Sequence, residues 1–274
     1  MVSTTCLNCN NLLQPEQQFC SRCGQSVEIH RIGFAHLMHE LLHGFTHADK
    51  GILYTIKMLA VKPGLVAREY LEGKRKKYFP PVNFYLILIG LFVFALGFFH
   101  TFEQSNTFAQ VRTELRNLPD SLAQMRDRRL AKLDRAETVM SFMTKRSNLV
   151  NLLLATPLSA FVFFLFYRRH KYNFIEHFTI NLYFSGFVSL IFIFIVAPLV
   201  SLVNNQVFYL AAISFFLLTE MIYRSIAYYQ FIGKKGRRHY LFALLASFTS
   251  VALWVVLSRV AVNYYIEHGL PHFF

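Results

Sequence analysis

Four cysteines fall within the first two dozen residues, as Cys6-Leu7-Asn8-Cys9 and Cys20-Ser21-Arg22-Cys23. Two C-x2-C knuckles of this spacing let four thiolates converge tetrahedrally on one Zn2+, and Gly24 eases the turn that brings backbone amides towards the sulfurs. A pair of disulfides, the alternative, needs an oxidising compartment and leaves the twin two-residue gaps unexplained. Four sulfurs leave no coordination position for water or substrate, so the expected zinc is structural. It would supply folding free energy to a segment with little core of its own.

A second constellation is His39-Glu40-Leu41-Leu42-His43, an HExxH. His39 and His43, one helical turn apart, have the spacing of zinc ligands, with Glu40 as the base that activates bound water. Catalysis would also need a third ligand, for which Glu69, Glu72, Glu176 and His177 are the downstream candidates. No second motif marks any of them, and Gly44 and His47 do not fit the metzincin spacing. Phe34, Leu37, Met38, Leu41 and Phe45 form one helical stripe, while His36, His39, Glu40, His43 and His47 form the opposite one. The preferred account of HELLH is therefore the polar face of a solvated or interfacial helix.

Other charged residues stand at or inside apolar segments. Lys74-Arg75-Lys76-Lys77 lies beside Tyr78-Phe79-Pro80-Pro81 and suits an anionic lipid surface, each cation contributing about 1 kcal/mol near it. Pro80 and Pro81 stop a helix from running directly into the bilayer. Glu220 and Arg224, four residues apart in an apolar stretch, are expected to pair along their helix with Arg224 snorkelling outward; a polar transport pathway is the alternative. Glu176-His177 begins another span, with Asn181 one turn further in.

The elements that must position these residues are membrane helices. Among the 274 residues, 54% are hydrophobic, with 30 Phe and 14 Tyr, and only 16% are charged, against about 25% in soluble proteins; the mean hydropathy is +0.36. Five spans are predicted at about 82–101, 149–167, 178–203, 207–230 and 240–262, since a helix needs about 20 apolar residues to cross a bilayer core. Pro157 and Pro198 are expected to kink two of them. No apolar run begins the chain, so no cleavable signal peptide is expected. The fold class is thus all-α: a polytopic transmembrane bundle with a zinc ribbon at 1–29, interfacial amphipathic helices and a polybasic end at 30–81, and the membrane domain at 82–274. A helical extracytoplasmic insert is predicted at 103–148.

The net charge of +13 gathers at Lys74–Lys77, Arg168–Lys171 and Lys234–Arg238. The positive-inside rule places all three in the cytoplasm together with the ribbon, and an odd number of spans puts the C-terminus outside. The basic residues in the insert oppose this orientation. No aromatic platform or recognition helix accompanies the basic charge, so nucleic acid is not an expected partner.

His30-Arg31-Ile32, His47-Ala48-Asp49-Lys50-Gly51, Lys62-Pro63-Gly64, Arg68-Glu69-Tyr70 and Glu72-Gly73-Lys74-Arg75-Lys76-Lys77-Tyr78 occur in this order after Cys23-Gly24-Gln25. This block resembles a family of uncharacterised bacterial multi-pass membrane proteins with an N-terminal zinc ribbon. The resemblance implies the architecture and brings no reaction or substrate.

The expected function is a non-enzymatic interaction, assembly or regulatory module in the bacterial inner membrane. Zn2+ would be its structural cofactor, anionic lipid and a protein bound by the ribbon its partners, and a homo-oligomer its possible assembly. Alternatives from other classes are a membrane metallopeptidase built on His39, Glu40 and His43, and a small-solute or lipid transporter using Glu220, Arg224, Glu176 and His177.

Overall fold

Helices account for almost all of the regular structure, as an apolar chain that must satisfy its backbone internally requires. The computed structural model describes residues 5–28, 31–34, 51–99, 105–203 and 206–269. HELLH at 39–43 lies outside the described residues, as does most of the striped segment around it.

Two short helices precede the first span, α1 (Gly51–Val61) and α2 (Pro63–Leu71). Proline at the first position opens α2, and Gly73, at φ +107, turns the chain after it. A 3-10 turn, Arg75–Lys77, leads to Pro80-Pro81, where α3 (Pro81–Phe98) starts with proline at its first position. The insert is a helical hairpin of α4 (Ser105–Arg116) and α5 (Ala123–Val150). Arg112 clamps it by reaching Asp134 at 2.7 Å and Glu137 at 2.6 Å.

From there α5 continues through a π turn, Asn151–Ala155, into α6 (Thr156–Phe166). The next span is α7 (Phe174–Ile191), a second π turn at Phe192–Val196 and α8 (Ala197–Leu202); α9 (Gln206–Ile232) and α10 (Arg237–His268) complete the bundle. Each π turn ends two residues before a proline, Pro157 or Pro198. The wider turn relieves the collision between the proline ring and the carbonyl four residues back.

Among the described residues, four helices are long and apolar enough to cross a membrane: Arg75–Phe98, Phe174–Leu202, Val207–Ile232 and Arg237–His268. The protein is thus a membrane protein. At 149–167 the apolar stretch Leu152–Phe166 continues the helix that passes through the π turn. It packs inside the bundle against α7 and α10, with Ala160 and Phe163 fully buried.

The core is largely aromatic. Phe163 stacks on Tyr228 at 3.7 Å between centroids, while Tyr70 and Phe84 pack on Tyr183. All three basic clusters and the ribbon gather at one end, where Lys171 approaches Glu72 at 3.6 Å and Arg31 meets Glu176. The insert lies at the opposite end with the last turn of α10, joined by Lys132 to Glu267 at 2.5 Å.

Candidate functional site: a four-cysteine centre and a buried polar cluster

In the ribbon, each knuckle closes on its own backbone. Asn10 N–H donates to the Cys6 carbonyl and Gly24 N–H to that of Cys20, both at 2.8 Å, and isolated bridges Thr5–Leu12 and Phe19–Ser26 flank the two turns. Gly24 takes φ +70 and Asn10 takes φ +58. Asparagine is the residue that tolerates this conformation best after glycine, so the two halves are structurally equivalent although only the glycine stood out in sequence.

The turns bring the ligating atoms of Cys6, Cys9, Cys20 and Cys23 within 4.8 Å of one another, a group able to hold a metal ion. Cys6 Sγ lies 3.6 Å from Cys23 Sγ, and Cys9 Sγ 3.6 Å from Cys20 Sγ. Burial works to raise the Cys20 thiol, but the amides of Cys23 and Arg22 and the neighbouring thiols override it and hold it at about 6. Thiolate, the ligating form, is thus favoured at Cys20 first. Among the described residues, no other group of His, Cys, Asp and Glu converges in this way.

The ribbon is seated on the basic end of the bundle. Lys76 N–H donates to Gln25 Oε1 at 3.1 Å, and Arg31 forms a fork with the Glu176 carboxylate at 3.2 and 3.1 Å while also reaching the Lys171 carbonyl. Glu176 at the same time closes a capping box with Asn173 at the start of α7.

Two cations of the basic run, Lys74 and Lys77, are also engaged within the protein. Glu69 receives Lys74 at 2.8 Å, Lys77 at 2.6 Å and the Tyr78 hydroxyl at 2.5 Å. Burial tends to raise the Glu69 carboxyl, but these three donors hold it at about 2. Glu69 and Glu176, two of the candidate third ligands for HExxH, are therefore committed to protein partners.

Glu220 and Arg224 do pair, at 2.6 Å, but Arg224 does not snorkel outward. It is 4% exposed, and its guanidinium turns into the bundle to donate to Asn181 Oδ1 at 2.9 Å, Ser185 Oγ at 3.0 Å and Ser159 Oγ. Inward satisfaction by four groups outweighs a route to the interface. Ser159 also bonds Ser250 at 2.6 Å. Asn181 Nδ2 donates to the Tyr228 hydroxyl at 2.7 Å, and that hydroxyl lies 3.2 Å from His177 Nδ1. Arg224, Asn181, Tyr228 and His177 thus form one buried chain, while Glu176 belongs to the ribbon contact. Beside Arg224 and Glu220 lies a cavity of about 140 Å³, enough for several waters. The signal for this cluster was the set of small polar residues, Ser159, Ser185 and Ser250, recurring in apolar helices.

Residues 49–93 match the model of a family described as a protein of unknown function, DUF3667. No curated protein and no solved structure matches the chain. The matched segment includes the residues that dock α2 on α9. Arg68 donates to the Phe231 carbonyl from Nε at 3.1 Å and Nη2 at 2.9 Å, capping the C-terminus of α9, and Gly64 N–H donates to Gln230 Oε1 at 3.2 Å.

At Gly64 a methyl group would meet the Phe231 amide and sit 2.5 Å from the Ala227 carbonyl. Backbone cannot move aside as a flexible side chain can. Gly64→Ala is expected to destabilise the protein by about 3 kcal/mol, the upper range for overpacking. A thermal midpoint in detergent within 2 °C of wild type, where roughly 2–4 °C accompanies each kcal/mol, would show that α2 is not held this closely.

Proposed function

We propose that the protein is a bacterial inner-membrane protein acting as a non-enzymatic interaction or assembly module, with a zinc ribbon held on the cytoplasmic end of its helix bundle. Zinc at about 2.3 Å from each sulfur places tetrahedral sulfurs about 3.8 Å apart, and the observed 3.6 Å pairs fit that spacing. Cys6, Cys9, Cys20 and Cys23 would hold the ion, which supplies folding energy and no open site for chemistry. The clustering of the three basic segments at the ribbon's end favours a cytoplasmic N-terminus and an extracytoplasmic C-terminus. Anionic lipid at that end and self-association through the apolar outer faces belong to the same proposal.

The observation that carries it is the orientation of the ribbon. One side is fastened through Gln25 to Lys76, with Arg31 after it held by Glu176, while Leu12 and Phe19, 78% and 61% exposed, present apolar surface on both knuckles. Exposed aromatic and aliphatic anchors of this kind suit a protein partner. A photo-crosslinking residue at Leu12 or Phe19, in the full chain in whole cells, is expected to give a discrete protein adduct that disappears with Cys6→Ser/Cys23→Ser. Adducts to lipid alone, or protein adducts indifferent to the cysteine changes, would overturn the proposal.

A further inference from the structure

Lys74 and Lys77 share the single Glu69 carboxylate, which raises the question of where positive charge without an acidic partner is concentrated at the basic end. It lies between the C-terminal end of α6 and the start of α10. There a cleft of about 500 Å³ is rimmed by Arg169, His170, Lys234, Arg238 and His239 and floored by aromatic and aliphatic side chains. No acidic residue lines it. Among the described residues, none of Arg169, Lys234 and Arg238 has a carboxylate partner.

Three cations from two separate segments are thus brought together without compensation. Mutual repulsion makes such an arrangement unfavourable unless an anion completes it. The crowding is felt at His170, whose imidazole is made harder to protonate by burial and then by Lys234 and His239. The start of α10 adds to the field. Its N-cap is Gly236, no side chain caps it, and its first free amides carry the positive end of a 32-residue helix.

The floor distinguishes this cleft from a site for a free ion. Phe242 and Leu245 line it, and with Leu241 they are 40%, 53% and 60% exposed on the outer face of α10, continuous with the surface expected to meet acyl chains. Polar charge above and an unbroken apolar path below match an amphiphile with an anionic head.

We infer that this cleft binds the phosphate headgroup of an anionic phospholipid, with the phosphate among Arg169, Lys234 and Arg238 and an acyl chain along Phe242 and Leu245. The site is separate from the Lys74–Lys77 run and from the ribbon, and it stands whether or not the ribbon has a partner. Cationic clefts between helices at the membrane surface are a general means of selecting anionic lipid.

Native mass spectrometry of the detergent-purified full chain tests this directly, with dioleoylphosphatidylglycerol, dioleoylphosphatidylcholine and inorganic phosphate as probes. Wild type is expected to retain phosphatidylglycerol in preference to phosphatidylcholine, and Lys76→Gln to behave as wild type. Arg169→Gln/Lys234→Gln/Arg238→Gln should weaken retention about a hundredfold, as three cations at about 1 kcal/mol each imply. Should the triple variant fail to fold, Arg238→Gln alone gives a loss of about fivefold and Arg238→Lys restores most of it. Equal retention of both lipids, displacement by inorganic phosphate at equimolar concentration, or wild-type binding by the charge-neutral variants would each overturn the inference.

Discussion

Purified protein will carry one zinc ion per chain, and Cys6→Ser/Cys9→Ser will carry none, while His39→Ala/His43→Ala will keep the full complement. The cysteine result follows from the convergence of the four ligating atoms within 4.8 Å and from the complete shell that four thiolates make. Structural zinc contributes about 10–16 kcal/mol of apparent binding energy in small zinc-finger peptides, far more than the few hydrogen bonds of the two knuckles. Losing it should open the ribbon to proteolysis at Arg22. The bundle should keep its thermal midpoint, because the ribbon's described contacts with it are confined to its edge at Gln25 and the segment after it at Arg31. The histidine result separates the two motifs. A second zinc lost in His39→Ala/His43→Ala would make HELLH a metal site and reinstate the metallopeptidase alternative, with Glu40→Gln as its next test.

The legible parts of the molecule were those coded by local spacing. Two C-x2-C pairs specify a four-thiol cluster because each knuckle is a turn of a few residues, and the long apolar runs specify helices because the bilayer permits little else. Which face of a span looks inward was not legible. In α3 or α7 both the lipid face and the core face are apolar, so periodicity carries no sign of direction. Arg224 was therefore assigned to the interface, when Asn181 and Ser185 on α7 and Ser159 on α6 were waiting for it. The same blindness applies to Glu69. Its paired cations are five and eight residues away in the chain, but their pairing depends on the 3-10 turn that folds them back. Gly64 and Arg68 belong to a recognisable block, yet only the approach of α2 to α9 explains why glycine and arginine are needed there.

Removing the Arg224 side chain will have the second large effect. Arg224→Met deletes the donor to Asn181, Ser185 and Ser159 and the partner of Glu220, whose side chain is 21% exposed. Breaking a buried ion pair from one side costs about 3–5 kcal/mol, because the remaining charge and acceptors are left unpaired. That corresponds to a fall of roughly 10 °C in thermal midpoint for a protein of this size. Glu220→Gln should cost less, since an amide oxygen still accepts from Nη2 and Arg224 keeps its other acceptors. The informative variant is Glu220→Leu/Arg224→Met, which removes both charges together. It should recover a substantial part of the loss, as replacement of a whole buried pair by apolar groups does. Such recovery would identify the pair as a charge-balanced structural element. A double variant no more stable than Arg224→Met would place the main cost in the serine and asparagine partners, and an Arg224→Met midpoint within 2 °C of wild type would remove the cluster from the stability of the bundle altogether.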